Sequence, residues 1–368
     1  MNVALVHEHL AQDGGAERVA QVLMDMFPQA PLFTLVYNPR RANPAFRDRD
    51  IRTSFIQRLP GGVRYYQWFV TLMPNAVERY DLRGFDLVIS SASAFAKGVI
   101  TDPRALHLCY LHSPTRYLWS DTHQYVDELP YPRWIRALIP LSLTRLRMWD
   151  RLAADRVDHF VANSRAVQQR IKKYYRRDSA VIYPPVDLQR FTLHQGGGDY
   201  YLTGGRLVPY KRFDLAIQAF NKLGLPLKIF GVGPAMTQLQ TMAKKNIDFL
   251  GRVPDQDLNE LYGRAAAFLY PQEEDFGITA VEAMATGRPV IAYAAGGALE
   301  SVKAGQTGVF FQEQEWEALA DTVIRFQRQR FDPHQIRRWA LGFGVDRFRQ
   351  ELRRFVDQTW QTHQAQLP

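Results

Sequence analysis

Two series of short apolar runs, separated by helix-patterned segments, constrain this chain more than any other feature. The first series is Asn2 to His7, Leu32 to Val36, Leu87 to Ser90, Leu106 to Leu111, Phe160 to Ala162 and Ala180 to Ile182. The second is Tyr200 to Thr203, Leu227 to Phe230, Ile247 to Leu250, Ala267 to Tyr270, Val290 to Ala292 and Val309 to Phe311. Runs that are apolar throughout, rather than alternating, read as parallel strands covered on both faces, with the intervening segments as crossover helices. Between the series the pattern stops at Tyr183-Pro184-Pro185-Val186-Asp187, and Gly196-Gly197-Gly198 follows. A stiff segment and then a flexible one mark a domain boundary. The expected fold class is therefore α/β, with two doubly wound domains at residues 1–190 and 199–345. Beyond them Phe348, Leu352, Phe355 and Val356 make one apolar stripe, so residues 346–368 are expected as an amphipathic helix.

A length of 368 residues suits two domains, and 46% hydrophobic with 23% charged residues excludes disordered and fibrous classes. One cysteine, Cys109 in the apolar run LHLCYLH, allows neither an intrachain disulfide nor a multi-cysteine metal site. A buried thiol in a reducing compartment is expected. The net charge of +9 favours polyanionic partners, namely nucleic acid, an anionic membrane or nucleotide phosphates. The start MNVALVHEHL has no basic region and carries His7, Glu8 and His9, so it reads as a strand rather than a signal peptide. Nowhere are there 18 consecutive apolar residues, and a soluble or peripheral protein is expected.

The strongest chemical signal is Glu273-Glu274-Asp275-Phe276-Gly277-Ile278-Thr279 leading into Glu282. Glu274 falls in the loop after the run ending at Tyr270, on the edge where open α/β sheets bind ligands. The amides of Gly277, Ile278 and Thr279 would open a helix whose positive end suits a pyrophosphate, and Glu282 can accept from a ribose diol. Arg206 and Lys211 sit in the loop after the first strand of the second half. Two cations there fit a diphosphate, although a solvated basic turn is the competing reading. Gly14-Gly15, after the first strand, lets backbone amides approach a phosphate or sugar, or makes a tight turn with no ligand. Gly231-Val232-Gly233 resembles the start of a dinucleotide fingerprint, but Pro234 and Met236 break it, so an NAD site is not expected. His112 follows a strand of the first half, and His7 and His9 end the first strand; each competes with a purely structural role.

Together the Glu274 to Glu282 pattern, Gly205-Arg206 with Lys211, Gly14-Gly15 and His112-Ser113-Pro114 resemble the retaining family 4 glycosyltransferases of the GT-B fold, over nearly the whole chain. Val186-Asp187, Ser164-Arg165 and Phe249 to Val253 are similar to bacterial mannosyltransferases that build O-antigen or exopolysaccharide units. The resemblance implies two Rossmann-like domains facing a cleft and a terminal helix crossing back to the first. It also implies roles. Glu274 would hold donor-sugar hydroxyls, Glu282 the ribose, Arg206 and Lys211 the diphosphate, Gly15 the pyrophosphate from the other domain, and His112 the sugar near its reacting carbon. Arg252 and Val253 would border the base, with Gly14, Gly231 and Phe276 also at the donor. GDP-mannose is the implied co-substrate, a lipid-linked or oligosaccharide chain the acceptor, and no cofactor or metal is expected. No carboxylate is placed as a nucleophile, so a same-face displacement is favoured.

Other classes compete. A metal-dependent GT-A enzyme needs Asp-x-Asp, and Asp48-Arg49-Asp50 and Asp255-Gln256-Asp257 fit the letters. Arginines surround the first, and the second reads as a helix start with Asp255 as its cap. A sugar-nucleotide epimerase would share the fold, and a basic nucleic-acid-binding protein would share the charge but shows no recognisable module. Two basic aromatic segments, Arg58 to Arg79 and Arg133 to Arg151, suggest amphipathic helices on the cytoplasmic face of an anionic membrane, with Trp134, Ile135, Leu138 and Trp149 among Arg136, Arg145 and Arg147.

Overall fold

The computed structural model describes residues 1–120, 122, 133–327 and 330–367, with the backbone alone for 133–138 and 141. They form two compact units, one of Met1–Tyr183 with Arg349–Pro368 and one of Pro184–Phe348. The division falls just before the two prolines rather than at residue 190.

In the first unit the strands are β1 (Val3–His7), β2 (Leu32–Thr34), β3 (Ile51–Thr53), β4 (Leu87–Ala92), β5 (Leu106–Leu111), β6 (His159–Ala162) and β7 (Ser179–Val181). They form one sheet in the order β3-β2-β1-β4-β5-β6-β7, every pairing parallel. β4 and β5 are buried at every position, as continuous apolar strands in a doubly covered sheet must be. Helix Gly15–Met26 packs Val19, Val22, Leu23 and Met26 inward, and Ser164 caps helix Arg165–Tyr175 by accepting the Val167 N–H at 3.1 Å. Cys109 is fully buried, and burial pushes its thiol up to about 12.

The second unit repeats the plan with β8 (Tyr200–Gly204), β9 (Leu227–Phe230), β10 (Ile247–Gly251), β11 (Ala265–Tyr270), β12 (Val290–Tyr293) and β13 (Gly308–Phe311). Its order is β10-β9-β8-β11-β12-β13, again parallel. In each sheet the order reverses once, between β1 and β4 and between β8 and β11. Crossover helices leave on opposite faces at such a point and open a crevice at the carboxyl ends of the two strands.

The last helix, Val345–Gln366, buries Leu352 and Val356 in the first unit. Each contributes about 1.5–3 kcal/mol of apolar burial. Its Arg353 Nη2 donates to the Met26 carbonyl at 3.2 Å, and Arg349 reaches Asp25 at 3.4 Å.

The structure alters three expectations. Residues 58–79 are not one amphipathic helix but 3-10 segments Phe55–Arg58 and Tyr66–Leu72 followed by the short helix Met73–Glu78. Within helix Arg133–Ala154, Trp149 is core and not a surface anchor: its Nε1 donates to Glu78 at 2.8 Å and its ring meets Phe95 at 5.6 Å. Arg147 donates inward to the Leu118 carbonyl, whereas the side chains of Trp134, Ile135, Arg136 and Leu138 lie outside the described residues. Finally, Asp255 does not cap a helix: Pro254 occupies that position, and Asp255, first residue of helix Asp255–Gly263, pairs with Arg190. Among the described residues no helix is long and apolar enough to cross a membrane.

Candidate active site

The second unit places the loops after β8 and β11 side by side at its switch point. Lys211, in the 3-10 turn Pro209–Lys211, holds Glu274 Oε1 at 2.9 Å, and the Tyr270 hydroxyl donates to Glu274 Oε2 at 2.8 Å. Both side chains are largely enclosed, at 12% and 21% exposure. Burial works against the Lys211 ammonium, but the Glu274 carboxylate outweighs it and the pKa rises. Burial, reinforced by the Glu274 charge, likewise keeps Tyr270 protonated. Lys211 thus keeps its charge over the physiological range. Arg206 is exposed, lies near enough to Lys211 to oppose its charge, and has no carboxylate partner among the described residues.

Backbone contacts fix this arrangement. The Gly297 N–H donates to the Glu274 carbonyl at 2.8 Å, and Phe276 is buried with its ring 5.4 Å from Phe343. Gly277 has φ +96°, and a Cβ there would stand 2.7 Å from the Tyr270 hydroxyl oxygen, so only glycine fits. It starts helix Ile278–Ala285; the Ala280 and Val281 amides return to the Gly277 carbonyl, leaving Ile278 and Thr279 to lead the helix with outward amides. Thr279 Oγ1 is enclosed without a hydrogen-bond partner. A lysine and an exposed arginine on one loop and the lead amides of a helix on the other are groups that can hold an anion.

Other expected donor residues are placed differently. Glu282 is buried with Oε1 accepting from Arg190 at 2.7 Å and Oε2 from the Tyr262 hydroxyl at 3.1 Å, so in this state both oxygens serve the fold. Gly231, at φ +113°, lets the loops after β8 and β9 cross, since its Cβ would lie 1.8 Å from the Gly205 carbonyl oxygen. Arg252 is exposed, and Val253 borders a groove of about 430 Å³ with Tyr200, Lys228 and Arg264 rather than the Lys211–Glu274 pair.

In the first unit a second cluster sits at the carboxyl ends of β1, β4 and β5. β1 and β4 pair with His7 opposite Ser91. The Ser91 hydroxyl then bridges His7 Nδ1 at 3.2 Å and His112 Nε2 at 2.8 Å. Burial lowers His112 to about 4, and burial, with smaller contributions from the neighbouring His112 and His9, holds His7 well below the ordinary imidazole range. Both rings are neutral at pH 7, so His112 offers a hydrogen bond and not a charge. Glu8 is buried and accepts the N–H groups of Ser93, Ala94, Phe95 and Ala96 at 2.7–3.1 Å, tying the end of β1 to the loop after β4. Gly14 precedes helix Gly15–Met26, and a Cβ on it would lie 2.9 Å from Glu17 Oε2. Gly15 is exposed at the helix start.

Among the described residues no group of three or more His, Cys, Asp or Glu side chains could hold a metal ion. Asp50 of the first Asp-x-Asp pairs with Arg52, and Asp255 of the second with Arg190.

Residues 13–190 match the model of Glycosyltransferase Family 4, and residues 187–340 that of Glycosyl transferases group 1. The chain belongs to the group 1 glycosyltransferases. HepE of Anabaena, solved with UDP-glucose, superposes with a TM-score of 0.71 at 18% identity, covering 97% of this chain and 100% of that one. That likeness shows the fold, which is GT-B. An exopolysaccharide phosphotransferase of Streptomyces coelicolor is 35% identical over 133 residues, 33% of this chain and 14% of that protein. The D-rhamnosyltransferase WbpZ of Pseudomonas aeruginosa is 27% identical over 188 residues, 46% of this chain and 48% of that one. The matched stretch spans less than half the length of either relative.

In this group 1 glycosyltransferase, sequence reasoning passed over three buried groups of the first unit. Glu17 is 2% exposed, with Oε1 3.8 Å from His9 Nδ1 and no partner for Oε2, and burial raises its pKa to about 7. Lys97 and Asp150 form a fully buried ion pair at 2.5 Å, where Asp150 also accepts from Thr115, Trp119 and Tyr175. That hub anchors the segment directly after His112. Glu17 carried a local signal, an acidic first turn after Gly14-Gly15; the ion pair joins residues 53 apart and carried none.

Proposed function

We propose that this protein is a retaining hexosyltransferase that moves a sugar, mannose from GDP-mannose as the first choice, onto a lipid-linked or oligosaccharide acceptor of a surface polysaccharide. The Lys211–Glu274–Tyr270 constellation, beside Arg206 and the lead amides of Ile278 and Thr279, carries this reading. It supplies positive charge for a diphosphate and carboxyl oxygens for sugar hydroxyls at one switch point. The acceptor oxygen attacks the anomeric carbon as the bond to the diphosphate oxygen breaks. The electron pair leaves with the diphosphate, and the acceptor proton passes to that departing oxygen. Lys211, Arg206 and the two amides take up the developing negative charge, the task a metal performs elsewhere. Glu274 binds donor hydroxyls, and His112, being neutral, can give a sugar a hydrogen bond but no charge. Glu282 meets the ribose only by sharing its Arg190 and Tyr262 bonds.

Similarity to an exopolysaccharide phosphotransferase supports polysaccharide assembly, and similarity to a D-rhamnosyltransferase supports sugar transfer. HepE with UDP-glucose favours a second reading in which the donor is a UDP-hexose. A cytoplasmic, membrane-peripheral location accompanies both. A thermal-shift screen of GDP-, UDP- and ADP-sugars tests the proposal, since a ligand at 100 times its Kd stabilises by about 2.7 kcal/mol. GDP-mannose should give the largest shift; a larger UDP-hexose shift establishes the second reading, and no shift with any sugar nucleotide contradicts both.

A further inference from the structure

The first unit carries a surface feature that donor chemistry does not use. Asn38, Arg40, Arg41, Val63 and Arg64 line a cavity of about 340 Å³. Among the described residues none of the three guanidinium groups has a carboxylate partner, although neighbouring Arg49 and Arg52 pair with Asp25 and Asp50. Three uncompensated cations around one hollow repel each other until an anion lies among them. Multiply hydrogen-bonding guanidinium forks suit the oxygens of a phosphate.

Beside the cavity lies an aromatic ladder. Arg64 stacks over the Tyr65 ring at 5.1 Å, and Tyr65 stacks on Trp68 at 5.0 Å with 22° between planes. Tyr65, Trp68 and Leu72 are 41%, 70% and 41% exposed. They lie on or next to the kinked 3-10 turn Tyr66–Leu72, which buries none of its residues. A polypeptide that stacks a tryptophan on a tyrosine and leaves both in water keeps an amphipathic surface ready for a partner with apolar and anionic layers. A membrane interface has that layering: aromatic rings settle at headgroup depth while arginines meet phosphates. A nucleic acid would also take stacking, but it gives no place to Leu72.

From this juxtaposition we infer that the Arg40–Arg41–Arg64 cavity is a seat for the phosphate of an anionic lipid headgroup, with Tyr65, Trp68 and Leu72 inserted beside it. The inference rests on the proposed membrane-peripheral location and names the surface that produces it. The side chains involved are exposed, so replacing them leaves the core intact.

Flotation of the full chain with vesicles of phosphatidylcholine, alone or mixed with phosphatidylglycerol, tests it. Wild type should float with the anionic vesicles only. Arg40→Gln/Arg41→Gln/Arg64→Gln should lower partitioning about 100-fold, since each cation near such a surface contributes ~1 kcal/mol. Trp68→Phe should remove a quenching component that brominated lipid produces in wild type. Thermal shifts with sugar nucleotides should be unchanged in every variant, separating failure of this seat from failure of the donor site. A triple variant that floats as well as wild type overturns the seat while the peripheral location stands, and wild type that stays in solution overturns both. Arginine-dependent binding of inorganic pyrophosphate or a single-stranded oligonucleotide without flotation also overturns the lipid assignment.

Discussion

Glu17→Gln removes a carboxyl that the first unit buries beside an imidazole rather than a lysine or arginine. The groups facing it are His9, Gln12, Asp13 and the amides of Gly14 and Glu17, and burial dominates, raising its pKa from 4.5 to about 7. Between those values the folded protein holds a proton that the unfolded chain has lost, so the contribution of Glu17 to stability is full below 4.5 and falls as pH rises toward 7. Integrated from about pH 5.5 to about pH 8.5, this shift amounts to about 2 kcal/mol of lost stability. A glutamine has no such titration. Whatever constant offset the amide introduces, the variant should gain about 2 kcal/mol on wild type between the two pH values. Urea denaturation midpoints at both pH values, with the slope checked for constancy, measure the difference. A wild-type-to-variant difference that does not change with pH refutes the reasoning, because Glu17 would then titrate as an ordinary carboxyl.

Lys97→Met leaves the Asp150 carboxylate buried without its cation and should cost about 3–5 kcal/mol in urea denaturation; a loss below about 1 kcal/mol contradicts the ion-pair account. Leu352→Ala, in the part of the terminal helix that belongs to the first unit, should cost about 2–5 kcal/mol, and an unchanged urea midpoint would show that the stripe does not hold that unit together. Turnover of the sugar-nucleotide donor should survive excess EDTA, and a loss reversed by manganese or magnesium would assign the leaving-group charge to a metal instead.

Most of the strand framework was legible because both sheets are covered on two faces. Leu106–Leu111 and Leu227–Phe230 were read to the residue, since their apolar runs end where burial ends. β3 was missed because it lies at the sheet edge, where Arg52 and Thr53 face solvent and no apolar run survives. At the site, Lys211 and Glu274 were legible because each follows a strand, and the carboxyl edge of a parallel sheet is a position that sequence can mark. Gly231 was legible as part of a fingerprint-like turn expected at the donor but not as a packing residue, because the carbonyl it accommodates belongs to Gly205 on another loop. Lys97 and Asp150 were invisible for the same reason on a larger scale: burial by partners distant in sequence, not local pattern, gives them their role.

Release of nucleoside diphosphate from the preferred sugar nucleotide by wild type, Lys211→Met and Glu274→Gln tests the central claim most directly. Loss of one group that stabilises transition-state charge lowers turnover about 100-fold or more, and each variant should show at least that loss with an unchanged urea midpoint. Near-wild-type turnover in both variants would contradict the assignment of the Lys211–Glu274 pair to the donor.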